Sequence, residues 1–131
     1  MKKDAKKDGK PEHGRASRVA ERVREELSTL VGRELSDPRV LGVIISNVRM
    51  TDDLRLATVR FRLLEGGDDA ARQKTATIGL TRASGMLRRE ITQRAGLRFA
   101  PELRFFYDAG LDATTRIEEI LYEVNAEKKA K

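Results

Sequence analysis

Residues 69–96 read DAARQKTATIGLTRASGMLRREITQRAG, and this stretch decides the fold. Ala76, Leu80, Ala83, Leu87 and Ile91 recur at helical spacing and make one apolar stripe along it. Asp69 stands where a helix wants its N-cap, and Gly96 where a helix stops. Gly79 and Gly85 fall inside the helical stretch, where each glycine costs roughly 1 kcal/mol relative to alanine. Two such residues in mid-helix predict a kink or the close approach of another backbone. At about 100° per residue, Ile78, Arg82, Gly85 and Arg89 lie on the face opposite the stripe, with Lys74 and Arg88 nearby. A glycine on that face, bracketed by arginines, lets a phosphate backbone come close while guanidinium groups hold it by paired hydrogen bonds. A solvated arginine-rich face with an incidental glycine fits the same residues.

Outward from this helix the flanking elements are legible. Residues 43–50 are rich in β-branched side chains and read as a strand. Thr51-Asp52-Asp53-Leu54 supplies turn chemistry. Ala57, Val59, Phe61 and Leu63 then alternate with Thr58, Arg60, Arg62 and Leu64, which predicts a second strand paired antiparallel to the first. Before the hairpin, Val19, Val23, Leu27, Leu30 and Val31 predict a helix over 17–34, with Ser17 as its N-cap and Asp37-Pro38 as its stop. Beyond Pro101, Leu103 to Asp108 reads as a third strand, and 112–124 as a last helix capped by Asp112. The order is α-β-β-α(kink)α-β plus a C-terminal helix, an α+β fold.

Charge divides the chain. Among 131 residues, 27 Lys and Arg against 21 Asp and Glu give +6. Residues 1–15 carry +3 and residues 126–131 carry +2, which leaves only +1 for residues 16–125. The ends are therefore expected to be flexible basic tails around one folded domain over 16–125. That domain is itself polarised. Residues 71–94 carry Arg72, Lys74, Arg82, Arg88, Arg89 and Arg94 against Glu90, whereas 101–125 is net −4. One pole can face phosphates while the other keeps the wrong side away.

Catalytic signatures are absent. With no cysteine there is neither a disulfide nor a thiolate. His13 is the lone histidine and sits in the basic tail, so no Ser-His pairing can be built in the body. Asp52-Asp53 and Asp68-Asp69 sit where turns and caps want aspartate. Neither phosphate-loop pattern occurs. The expectation is no enzyme, no cofactor and no metal. Phe105, Phe106 and Tyr107 are assigned to packing, and at 5% aromatic content the chain is not a stacking-driven single-strand binder. No apolar run long enough for a membrane span and no secretory signal are visible, so a cytoplasmic location is expected.

Over roughly residues 15–122 the chain resembles the bacterial ribosome-binding factor A family. The resemblance is carried by Arg18-Val19, Ser36-Asp37-Pro38-Arg39, Asp52-Asp53-Leu54 with Ala57, Ala83-Ser84-Gly85-Met86-Leu87-Arg88, and Leu97-Arg98-Phe99-Ala100-Pro101-Glu102-Leu103-Arg104-Phe105 through Asp108. It implies a type II KH-like domain, a three-stranded sheet with a helix-kink-helix packed on one face. It also implies that Ala83-Ser84-Gly85 stands where other KH domains carry a G-x-x-G loop. The implied role is a monomeric, non-enzymatic assembly factor. Its implied partner is the free 30S subunit, through 16S rRNA and neighbouring ribosomal proteins. It would support late maturation and 5′-end processing of that rRNA, and growth in the cold. The RNA-binding candidates are Lys74, Arg82, Ala83, Gly85, Arg88, Arg89, Arg94, Arg98 and Arg39, with Arg49 and Arg62 as weaker ones. The rival readings are a general RNA-binding or RNA-chaperone module, and a protein-binding module that uses the acidic pole.

Overall fold

The computed structural model describes residues 14–109, together with Leu121 and Val124. Helix α1 spans Arg15–Thr29 and runs on through a π-helical turn, Leu30–Glu34. A 3₁₀ turn, Pro38–Val40, leads to strands β1 (Val43–Met50) and β2 (Leu56–Leu63). Helices α2 (Ala70–Arg82) and α3 (Ser84–Arg94) follow, then strand β3 (Glu102–Tyr107). Of the helix expected over 112–124, only Leu121 and Val124 lie within the described residues, and both are helical and exposed.

Helix α1 starts earlier than expected. Ser17 is not its cap; Gly14 is, and the Arg18 amide closes the first turn on the Gly14 carbonyl at 3.2 Å. The reason is burial, because Ala16 and Ala20 extend the apolar stripe toward the N-terminus.

The sheet runs β1-β2-β3. Strands β1 and β2 pair antiparallel from Val43↔Leu63 to Met50↔Ala57, as the alternation predicted. Strands β2 and β3 pair parallel from Leu56↔Glu102 to Phe61↔Tyr107. A parallel pair needs a long crossover, which α2 and α3 supply. One sheet face carries Ile45, Val48, Val59, Phe61, Leu103 and Phe105 into a single cluster with Val23 and Leu27 of α1, Leu80 of α2 and Ile91 of α3. Phe61, Leu27, Leu80 and Ile91 are fully buried, each worth about 1.5–3 kcal/mol relative to exposure.

Burial along β2 does not follow the simple alternation. Thr58 and Arg60 are buried as well, because β2 is the central strand and both lie between side chains of the two outer strands. Arg60 donates to Asn47 Oδ1 at 3.1 Å. A bulge in β1 leaves Ser46 out of register, and its hydroxyl donates to Asp108 Oδ2 at 2.8 Å, tying the hairpin to the end of β3. Among the described residues, no helix is long and apolar enough to cross a membrane.

Candidate nucleic-acid interface

The kink falls at Ala83, between the two glycines. Helix α2 ends at Arg82, and the Ala83 amide donates to the carbonyls of Gly79 (3.2 Å) and Leu80 (3.1 Å). Helix α3 starts at Ser84, and the Leu87 amide donates to the Ala83 carbonyl at 2.9 Å. Ser84 Oγ donates backward to the Thr81 carbonyl at 2.6 Å and does not cap α3.

The two glycines flanking the kink serve different ends. Gly79 is buried, and a Cβ there would sit 2.9 Å from both Arg39 Cβ and Val40 Cγ1. The 3₁₀ turn leans on α2 at this point, the close approach that the sequence suggested. Gly85 is exposed, and the nearest atom to a Cβ there would be Arg89 Nη1 at 4.0 Å. The helix surface at Gly85 is open.

The 3₁₀ turn has its own electrostatics. Asp37 caps it by accepting from the Arg39 amide at 2.9 Å and takes the Arg39 guanidinium through Nε (3.0 Å) and Nη2 (2.6 Å). These side-chain bonds first, then the amide, hold the Asp37 carboxyl below the usual carboxylate range, with Arg82 adding attraction through space. Arg82 therefore lies close to the Asp37–Arg39 pair. Arg72 fastens the turn by donating to the Arg39 carbonyl at 3.0 Å.

The nine candidates separate into groups. Lys74, Arg82 and Arg89 are exposed, and their side chains make no hydrogen bond or ion pair among the described residues. Lys74, Ile78 and Arg82 stand at successive turns of α2, with Ile78 43% exposed between the two cations. With Ala83, Gly85 and the neighbouring Arg39 they make one surface around the kink. Arg88 turns away from it: Nε donates to the Pro101 carbonyl at 2.8 Å and Nη2 to the Ala100 carbonyl at 3.1 Å. Arg94 joins Glu34 (3.1 Å) and Glu90 (3.2 Å) between α1 and α3, chiefly through the Glu34 hydrogen bond that raises its pKa. Arg98 lies past the far end of α3, and Arg49 and Arg62 belong to strands β1 and β2. Sequence reasoning passed over Phe99, which is 53% exposed with the Arg55 guanidinium 4.8 Å from its ring centroid. Its signal was an aromatic placed between Arg98 and the Ala100-Pro101 entry to β3.

The geometry is that of a bent helix pair presenting cations around a bare backbone. The ribosome-binding factor A family model matches residues 15–121. A ribosome-binding factor A of Sorangium cellulosum is 54% identical over 110 residues, 84% of this chain and 88% of that one. That of Geobacter sulfurreducens is 43% identical over 114 residues, 87% of this chain and 94% of its own. The fold is similar to the crystal structure of ribosome-binding factor A from Thermus thermophilus, with a TM-score of 0.63 at 21% identity, covering 73% of this chain and 99% of that one. With a family match over most of its length and relatives this close, the chain belongs to the ribosome-binding factor A family.

Proposed function

We propose that this chain is a cytoplasmic assembly factor that binds the free small ribosomal subunit through 16S rRNA. It supports late maturation and 5′-end processing of that rRNA, and it acts by binding without catalysis. Support comes from the relatives named ribosome-binding factor A and from a Thermus thermophilus homology model fitted into the map of a 30S–RbfA complex. That neighbour has a TM-score of 0.51 at 22% identity and covers 69% of this chain and 97% of its own.

The observation that carries the reading is the kink surface. Arg82 and Arg89 flank Gly85 with no internal hydrogen bond to satisfy their guanidinium groups among the described residues. Each can bind a phosphate by two parallel hydrogen bonds, and the missing side chain at Gly85 lets the sugar-phosphate backbone approach the helix. KH domains clamp an RNA backbone in this way, and the clamp needs few aromatics. Lys74 extends the cationic track along α2, and Arg39, paired with Asp37, borders it from the 3₁₀ turn.

The test is co-sedimentation of the full chain with 30S subunits. The double variant Arg82→Glu, Arg89→Glu should lose about ten-fold or more in affinity. Its melting temperature should stay near that of the parent, since neither side chain has a hydrogen bond to lose among the described residues. Unchanged co-sedimentation would overturn docking by this surface. If unrelated RNAs compete as well as the subunit does, a general RNA chaperone is the better description.

A further inference from the structure

At the other end of α3 from the kink lies an open groove of about 400 Å³. Three segments far apart in sequence close around it: the first turns of α1, the β1–β2 turn, and the loop that leaves α3. Its floor is apolar, formed by Val19, Leu54 and Leu97, which pack against the core. Its wall is Phe99, and its rim carries Arg15 and Arg98. We infer that this groove is a subsite for one unpaired base of the bound RNA, stacked on the Phe99 ring, with the adjoining phosphate held by Arg15 and Arg98. The inference rests on the RNA-binding reading above and adds a second contact beyond the kink.

Four observations carry it. First, Phe99 is 53% exposed, although the core begins two residues on at the buried Pro101. An aromatic ring this exposed at the edge of a groove offers it an apolar face. Second, Arg55 stands over that ring at 4.8 Å but does not line the groove. It therefore holds the ring from outside, which fixes the aromatic side chain before a ligand arrives and leaves the groove side open. Third, Arg15 and Arg98 are exposed and make no hydrogen bond or ion pair among the described residues, so both can take a phosphate. Fourth, the turn that builds the floor is strained: Leu54 has φ 62°, a left-handed conformation that bulky residues rarely adopt. Asp53 locks the turn by accepting from Thr51 Oγ1 at 2.8 Å and from the Arg55 amide at 3.1 Å. Strain held in place by such bonds clusters at ligand sites.

The rim also has a sign that selects among bases. Asp52 lines the groove, is exposed and makes no side-chain hydrogen bond among the described residues. A carboxylate there accepts from an exocyclic amine of the base, while the phosphate is held by Arg15 and Arg98 on their part of the rim. It suits the exocyclic amines of adenine, guanine or cytosine, whereas uracil can offer it only the ring N3–H. One aromatic anchor of this kind fits a chain of low aromatic content, because the kink supplies the backbone clamp and the groove needs to hold a single base.

The experiment uses the full chain and a single-stranded RNA hexamer carrying one 2-aminopurine, whose fluorescence is quenched on stacking. The wild-type protein and Phe99→Tyr should bind and quench it. Phe99→Leu, which keeps apolar bulk but has no ring, should lose the quench and about ten-fold in affinity. Circular dichroism checks that the variant is folded. Failure of the wild-type chain to bind or quench the hexamer overturns the inference. So does a Phe99→Leu variant that quenches as the wild type does. Co-sedimentation of the wild type with 30S subunits is read in parallel. If it persists while the hexamer result is negative, the docking reading stands and the base subsite fails. If wild-type co-sedimentation fails too, both fall. Loss of subunit binding by Phe99→Leu with no hexamer binding by the wild type would mean that the groove takes a protein segment, which also overturns it.

Discussion

Gly79 and Gly85 share one helical stretch, but opposite forces act on them. Replacing either by alanine gains about 1 kcal/mol of helix propensity. At position 79 that gain meets Arg39 Cβ and Val40 Cγ1, each 2.9 Å from the new methyl. Val40 is 3% exposed and cannot move aside, and overpacking of this kind costs about 1–3 kcal/mol. Gly79→Ala should therefore be destabilised by up to about 2 kcal/mol net. Gly85→Ala meets open space and should be stabilised by about 0.5–1 kcal/mol while it binds 30S subunits less well. Urea melts beside co-sedimentation read both effects, and shifts of the same sign in the two variants would refute the contrast. Asp37 offers a second residue-scale test. Its folded pKa lies below the ordinary value, chiefly through the Arg39 hydrogen bonds. The carboxylate therefore contributes stability that is present above the unfolded pKa of about 3.9 and is lost as pH falls through the folded pKa. An NMR titration of the Asp37 carboxyl carbon should show a midpoint below that of a model aspartate, and Asp37→Asn should flatten the acid limb of a stability–pH curve.

At the scale of elements, the decisive joint is between α3 and β3. Arg88 reads from sequence as an RNA contact because it sits one residue from Arg89 on an arginine-rich helix. One residue is about 100° of rotation, and that turn aims its guanidinium at the carbonyls of Ala100 and Pro101. Arg88 thereby ties the entry of the parallel strand to α3. Arg88→Ala should destabilise the fold by about 1–2 kcal/mol, and a melt equal to that of the parent would show that the two hydrogen bonds are dispensable. The same joint explains how much could be read in advance. The hairpin was legible because β-branched alternation and turn aspartates are local signals, and the helix stripe was legible because its period is local too. The break at Ala83 falls within Ala83-Ser84-Gly85, the segment that the family resemblance marked, whereas periodicity and the two glycines alone gave only a bend somewhere in mid-helix. The ends of Arg88 and Arg94 could not be read, because their partners Pro101 and Glu34 are distant in sequence and are brought close only by packing. The exposed cations Lys74, Arg82 and Arg89 follow helical phase, and there the sequence was sufficient.

Over the whole molecule, charge does two separable jobs. The +6 of the chain is concentrated at its ends, and residues 16–125 keep only +1. On the docking reading proposed above, bulk attraction to RNA falls to the lysine-rich termini and orientation to the few cations arrayed around the kink. The two respond differently to salt. Each cation that displaces a counterion from single-stranded RNA contributes about −0.7 to the slope of log affinity against log salt. Deleting residues 1–13 removes five lysines and three acidic residues, a net +2. That deletion should flatten the slope and weaken binding modestly at low salt, while preference for the 30S subunit over unrelated RNA persists. Arg82→Glu with Arg89→Glu should instead lower affinity at every salt concentration and erode the preference itself, because misplaced phosphates are no longer distinguished from well-placed ones. Filter-binding isotherms at several salt concentrations, on subunits and on an unrelated RNA, measure both. If the deletion abolishes subunit preference and the double reversal leaves it intact, orientation resides in the terminus and the kink surface is only a scaffold.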